Sequence, residues 1–465
     1  MATREPMVAN SRDRPERETG SGGGSDGLGA IARKGLRRMV SLAGAVEPDA
    51  ASRTNRLPRF SVAATDELAD LAPRPGRVQP DRARLALAEA LAASQPVTSR
   101  ERFSGRAETL GELIAAIEQQ RAHVVLYGER GIGKTSLVHV FAETAREARY
   151  LVLYGSCGVE ARFSDMFRSF ASQIPLLFHA DVSPIADEEE HNRSFADLIS
   201  DNDLDPRELA ELFGRIVGTR VILILDEYDR VRDPAFRRDV AELIKNLSDR
   251  AARVQLVLTG VASNLDELVG FTPSIRRNIV GLGVGPMDPA DMEDILARAE
   301  GATGMIFAAG ARELVGRMAA GSPYLVRLLG SRAALLALDE GRAEVTPADV
   351  LAGTQAVLAE WNAGLPGRIQ RLLARSEVQR AWPVLIAAAR ASGTPDGWFT
   401  AEDLATELPG TASAALRDAL EAFVGPIDLF DRTEGENGRE PRYRFRTQGV
   451  AQLLTLSAAL ARSGQ

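Results

Sequence analysis

Between about residue 100 and residue 285, short apolar runs alternate with amphipathic stretches. The apolar runs fall at 123–127, 150–154, 221–225, 254–259 and 279–284. Stretches with helix-like spacing fall at 107–120, 136–149, 162–175, 207–217 and 235–248. Runs of this length without polar alternation suit strands buried on both sides, and their alternation with helices predicts a parallel sheet covered on both faces. An acidic stretch between Asp181 and Asp205 interrupts the pattern and is expected as a surface excursion. After Pro286 the chain reads as helices at 289–300, 309–319, 323–339 and 347–360. The last hundred residues predict helices at 377–392, 400–407 and 411–423, strands at 427–431 and 441–446, and a closing helix at 448–461. Three helices and a β-ribbon is the winged-helix plan, a relative of the helix-turn-helix.

The N-terminal part is different. Residues 1 to about 57 are rich in Gly, Ser, Arg and Asp, with Ser21-Gly22-Gly23-Gly24-Ser25 at their centre, and cannot bury enough apolar surface to offset chain entropy. One basic island, Ile31 to Val40, is either a contact for an acidic partner or membrane surface, or a solvated arginine cluster. Residues 58–98 hold several prolines and a helix expected at 81–94. The expected organisation is therefore a disordered tail and tether over 1–98, an α/β nucleotide-binding core over 99–285, a helical unit over 286–362 and a winged-helix unit over 363–465.

Chemistry enters at the end of the first apolar run. Gly128-Glu129-Arg130-Gly131-Ile132-Gly133-Lys134-Thr135 is a complete G-x-x-x-x-G-K-[ST] loop between a strand and a helix that continues through Ser136. Its glycines let backbone N–H groups converge on a β-phosphate, and the positive end of the following helix adds its field. Lys134 would reach the β- and γ-phosphates, and the Thr135 hydroxyl would ligate Mg²⁺. The chain has three lysines (Lys34, Lys134, Lys245) against more than fifty arginines, so a lysine here signals a need for a compact point charge. The run Val221-Ile222-Leu223-Ile224-Leu225 ends in Asp226-Glu227. That spacing sets Asp226 beside the metal and Glu227 where it can polarise an attacking water. Without the phosphate loop, the same two acids would be equally consistent with a strand capped at the surface.

Composition narrows the rest. A net charge of −8 argues against a chain that coats nucleic acid by charge alone. The single cysteine, Cys157, excludes an internal disulfide, and four scattered histidines give no metal spacing. No run of about 18 apolar residues predicts a membrane span, and no apolar signal core is present, so a cytoplasmic location is expected.

With these motifs in place, the chain resembles the AAA+ ATPases, nearest to the clade of origin-initiator, helicase-loader and signal-transduction (STAND) ATPases, and the two motifs are its Walker A and Walker B. The resemblance spans about residues 100–350. Phe103-Ser104-Gly105-Arg106 resembles the segment near the adenine, which implies nucleotide contacts from Phe103 and Arg106. Gln255 to Ser263 resembles the strand ending in a polar sensor, which implies Ser263, with Asn264 as the alternative. Pro273 to Arg277 resembles the segment carrying a trans-acting arginine, which implies Arg277 before Arg276, although both also fit solvated surface charges. Gly321-Ser322-Pro323 resembles the G-x-P turn that opens a lid helix. The resemblance implies ATP and Mg²⁺ as ligands, hydrolysis or a slow nucleotide-gated scaffold as the activity, and a homo-oligomer or protein client as partner. One departure stands out: where initiators carry an arginine early in that lid helix, this chain has Tyr324 and Leu325, and the nearest arginine is Arg327.

DNA as a partner rests on the winged-helix unit. Its recognition-helix candidate, 411–423, holds Arg417 against Asp418 and Glu421, and from residue 370 onward eleven arginines face twelve acids. In Arg442-Tyr443-Arg444-Phe445-Arg446, period-two alternation sets three arginines on one face. Those arginines can either grip phosphates or pair with Glu434, Glu436 and Glu440.

Overall fold

The computed structural model describes residues 80–182, 193–200, 203–262, 265, 275–393, 397–425, 427–434, 440–447 and 449–463. The basic island at 31–40, Ser263 and Asn264 lie outside the described residues.

Five strands, β1 (His123–Gly128), β2 (Leu151–Ser156), β3 (Val221–Asp226), β4 (Val254–Val261) and β5 (Ile279–Gly283), form one sheet in the order β2-β3-β4-β1-β5. Every pairing is parallel. The apolar runs become strands because both faces are covered. Val124 and Leu126 turn to one face, against Leu113 and Ile117 of α2 (Ala107–Glu118) and Leu137 and Phe141 of α3 (Lys134–Glu147). Val125, Leu223 and Leu225 turn to the other, against Phe163 and Phe167 of α4 (Phe163–Ser172), Phe213 of α5 (Pro206–Gly214) and Phe236 of α6 (Pro234–Asp249). His123, the one titratable group at the foot of β1, is buried with its Nδ1 accepting from the Leu256 N–H at 2.9 Å. Burial pushes its pKa down to about 4, so it packs as a neutral residue. Of the expected 181–205 excursion, the described part is not all surface: Phe195 is fully buried in the α4–α6 core.

The helical unit is α7 (Pro289–Thr303), α8 (Ala309–Ala319), α9 (Pro323–Asp339) and α10 (Pro347–Gly364), with a two-residue parallel pair, β6 (Ile306–Phe307) and β7 (Glu344–Val345), that the periodicity does not reveal. The helix expected at 81–94 runs from Pro80 to Ala90 (α1), stopping ahead of Pro96. It belongs to the helical unit, called the lid below: Ala83, Leu87 and Leu91 enter the same core as Leu296 and Leu329. Arg327 closes this junction, its Nη1 donating to the Ala90 carbonyl at 2.6 Å and its Nη2 to that of Arg102 at 3.4 Å.

The C-terminal unit comprises α11 (Gly367–Leu373), α12 (Ser376–Arg380), α13 (Trp382–Ala391), α14 (Ala401–Glu407), α15 (Ser413–Val424), β8 (Phe430–Thr433), β9 (Arg442–Phe445) and α16 (Val450–Ser463). The helix expected at 377–392 is broken at Ala381, because Pro383 in the first turn of α13 has no N–H to offer the preceding turn. The first strand sits two to three residues later than expected, behind Asp428 in the left-handed region (φ 57°). β8 and β9 pair antiparallel, and Phe399 bridges to Tyr443 as a third, isolated contact. This unit and the lid share one continuous core, to which α16 contributes Leu453 and Leu454, so the expected boundary at 362/363 lies within packed structure.

Candidate functional site

Ligand sites of parallel sheets form beyond the C-terminal ends of the strands. Here β1 ends at Gly128 and β3 at Asp226, two strands apart with β4 between them. The loop from Gly128 turns into α3 through Gly131 (φ 78°) and Gly133 (φ 98°), conformations that a side chain would strain. Gly128 also lies so near the Val284 carbonyl that a Cβ would sit 2.4 Å from its oxygen. Inside the loop Lys134 Nζ donates to the carbonyls of Gly128 (2.8 Å) and Glu129 (2.7 Å). Burial pushes its pKa down to about 8; Asp229, Asp226 and Glu129 pull it up, and Arg130 adds to the fall. The lysine is thus held at the loop mouth by groups that a phosphate can replace. Ile132 is buried beneath the loop, Glu129 and Arg130 are exposed on it, and Ser136 Oγ accepts from the Val97 N–H at 3.0 Å.

Asp226 is 2% exposed, so its carboxylate needs partners. Oδ2 accepts from the Tyr154 hydroxyl at 2.7 Å; Oδ1 accepts from the Glu227 N–H at 2.8 Å and from the Thr259 hydroxyl. Burial and the hydrogen bond to Asp226 push the Tyr154 phenol well up, so it remains a donor. Glu227 adopts a left-handed backbone (φ 54°) that swings its half-exposed side chain out of the strand. There its Oε2 accepts from Ser156 Oγ at 3.1 Å and pairs with Arg230 at 2.7 Å. Asp229 Oδ1 accepts from the Val261 N–H at 2.9 Å. Among the described residues no three His, Cys, Asp or Glu side chains form a metal cage. The Asp226 carboxylate and the Thr135 hydroxyl are oxygen donors of the kind that Mg²⁺ takes in small number beside phosphates and water.

Phe103 packs against the α2–α3 core that contains Ile132. Arg106 is half-buried with φ 61°, and its Nη2 donates to the Ile132 carbonyl at 3.1 Å. Arg106 therefore borders the loop, and Phe103 packs on the core beside it. The lid covers it from the other side: Ser322 Oγ lies 3.4 Å from the Gly131 carbonyl, and Tyr324 stands over Gly131, whose added Cβ would meet it at 3.5 Å. Arg327 points elsewhere, as its bonds to Ala90 and Arg102 show. The C-terminal unit also reaches the loop; a Cβ on Gly393 would come 3.5 Å from the Glu129 carboxylate. Arg277 lies apart from all these groups, exposed in the turn Arg276–Asn278 before the edge strand β5. Tyr154, Ser156 and Thr259 are site neighbours that motif reading does not reveal. Register would have found all three, since Tyr154 is level with Ile224 and Ser156 with Asp226 on β2, and Thr259 follows Leu258, the partner of Leu225, on β4.

Arg444 and Arg446 pair with aspartates rather than with the glutamates weighed from sequence. Arg444 pairs with Asp431 (3.2 Å) and lies over Trp398 (4.7 Å to the ring centroid), and Arg446 pairs with Asp431 (2.9 Å) and with Asp428. Arg417 of α15 pairs with Glu440, and Arg432 of β8 pairs with Glu434 (2.5 Å) and with Glu421 (2.7 Å).

A parallel sheet with a glycine loop entering a helix, an acid pair on the strand two places away and a helical lid defines a P-loop nucleotide-binding domain. Residues 102–259 match the family model described as AAA ATPase domain, and this segment is an ATP-binding AAA+ domain. Among solved structures, the RuvB Holliday junction branch migration motor of Thermotoga maritima is 17% identical, with 77% of this chain and 97% of that chain covered and a TM-score of 0.40. Cdc6p from Pyrobaculum aerophilum is 15% identical over 81% of this chain and 98% of that one, with a TM-score of 0.42. The Walker-type ATPase of Pyrococcus abyssi is 19% identical over 78% and 99%, with a TM-score of 0.43. No curated protein matches the sequence. No helix among the described residues is long and apolar enough to cross a membrane.

Because Lys134 is the only cationic side chain buried in the loop, Lys134→Ala is expected to weaken ATP binding at least a hundredfold, the loss of about 2.7 kcal/mol or more. Calorimetric titration with ATP checks this; an unchanged Kd would contradict the assignment.

Proposed function

We propose that this protein is an ATP hydrolase that binds Mg²⁺·ATP between the α/β core and the lid and uses hydrolysis to change their relative position. The observation that carries the proposal is the lid turn Gly321–Tyr324 resting on the phosphate loop through Ser322 and Tyr324. A nucleotide whose phosphates enter the loop must meet that turn, so occupancy and lid position are coupled.

In this reading Lys134 leaves the Gly128 and Glu129 carbonyls to bind the β- and γ-phosphates, and Thr135 and Asp226 hold Mg²⁺. The metal, when bound, neutralises charge developing on the phosphate oxygens. Glu227 accepts a proton from the attacking water as the water oxygen bonds to the γ-phosphorus and the bond to ADP breaks. Two features favour slow turnover. Glu227 is held by Ser156 and Arg230 and must leave the arginine to reach water. The lid offers no arginine in its first turn, and Arg327 is committed to α1. The protein then works as a slow nucleotide-gated switch, with Ser263 or Asn264 as the sensor and Phe103 and Arg106 beside the adenine.

In the same reading the C-terminal unit is a winged helix, supported by its helices and antiparallel ribbon, and its paired arginines favour protein contact over grip on DNA. Arg277, exposed at the β5 edge, is suited to reach a neighbouring subunit's γ-phosphate in a homo-oligomer.

Glu227→Gln should hold ATP with parental affinity and lose at least about a hundredfold in turnover, because an amide cannot take the proton; phosphate release at the parental rate would place the base elsewhere. Arg277→Ala should bind ATP normally and hydrolyse it slowly. Mixed with Lys134→Ala, which keeps Arg277 but has an empty site, it should regain part of the activity, since each composite site takes its loop and its cation from different subunits. A specific activity constant over a hundredfold dilution of the parent would exclude the trans arginine.

A further inference from the structure

Asp226 and Glu227 announce themselves in the sequence, but the group that aims Asp226 does not. The α3-facing side of the sheet carries Ile222, Ile224 and Asp226 on β3, with Val152 and Tyr154 beside them on β2 and Val257 and Thr259 on β4. Tyr154 lies level with Ile224, one step short of Asp226, and reaches forward to Oδ2 at 2.7 Å. Its ring is stacked on His139 of α3, centroids 4.8 Å apart and planes 28° from parallel. His139 follows the metal-ligand candidate Thr135 by four residues, so the two share one face of α3. The stack ties the tyrosine to the helix that bears the other ligand.

A carboxylate has about four lone-pair sites. On Asp226 two are taken on Oδ1, by Glu227 N–H and by Thr259, and one on Oδ2, by Tyr154. The one acceptor site left is the second of Oδ2. Tyr154 therefore decides which direction of the carboxylate is open toward the phosphate loop. We infer that Tyr154 is a positioning residue that orients Asp226 for Mg²⁺, with Thr259 fixing the opposite oxygen. This rests on the assignment of Asp226 as the metal-binding carboxylate proposed above. Partners of metal ligands at this remove set metal affinity by about 10- to 100-fold.

Tyr154→Phe removes the hydroxyl and keeps the ring stacked on His139. Binding of a fluorescent ATP analogue is followed in EDTA and during MgCl₂ titration, without reference to hydrolysis. In the parent, Mg²⁺ tightens nucleotide binding with a definite midpoint. In Tyr154→Phe the affinity in EDTA stays at the parental value, while the Mg²⁺ midpoint rises about tenfold or more. Thr259→Val should raise the same midpoint through Oδ1. A residue that only fills space would change the thermal midpoint and leave the Mg²⁺ midpoint alone. A Tyr154→Phe midpoint within twofold of a Mg²⁺-dependent parent overturns the inference. A parent that binds the nucleotide equally in EDTA and in Mg²⁺ instead overturns the assignment of Asp226, and the inference with it.

Discussion

The structure turns on one buried carboxylate. Asp226 is almost fully removed from water at the end of a strand in which every residue is buried, a position where an ion without partners is untenable. Its partners come from three adjacent strands, Tyr154 on β2, Glu227 N–H at the end of β3 and Thr259 on β4. Those bonds demand that the strand ends be level, which the parallel register supplies. The same levelling brings Gly128, at the end of β1, beside Val261 of β4 and so opens the phosphate loop next to the acids. Sheet order, loop and acid pair are one arrangement seen from three sides.

The lid depends on that arrangement through its first turn. Gly321 (φ 84°) packs so tightly against Pro286 that a Cβ would lie 2.5 Å from its ring, and the Met287 N–H donates to the Gly321 carbonyl at 2.8 Å. The turn is thereby fastened to the segment leaving β5. Ser322 caps α9, accepting from the Leu325 N–H, and also touches Gly131. The same side chain thus stabilises a helix start and senses the loop. α1 adds a second tether: it is packed into the lid while the chain after it bonds to α3 through Val97 and Arg100. Motion of the lid relative to α3 must load this strap.

How much of this is legible in the sequence follows from where each signal resides. The five strands and the covering helices are readable because buried strands need apolar runs and covering helices need a stripe, and both are local patterns. The phosphate loop, Asp226 and Glu227 are readable because their chemistry fixes both residue type and neighbours. Tyr154 and Thr259 are not, since one tyrosine and one threonine in apolar strands look like packing until register sets them beside Asp226. The pairing of Arg446 with Asp428 and Asp431 escapes sequence reading for the same reason: the acids lie on the partner strand and just before it, not in the turn. Arg327 shows the reverse case, an arginine near the expected position whose helical phase turns it to the Ala90 carbonyl.

The central claim is that the phosphate loop and the lid turn close on one nucleotide. Amide hydrogen exchange of the parent and of Lys134→Ala, each with and without Mg²⁺·ATP, measures this directly. The account predicts slower exchange in both 128–136 and 321–326 of the parent on adding nucleotide, and no change in either segment of Lys134→Ala. Protection of 128–136 with 321–326 unchanged would contradict it, because ATP would then occupy the loop without engaging the lid.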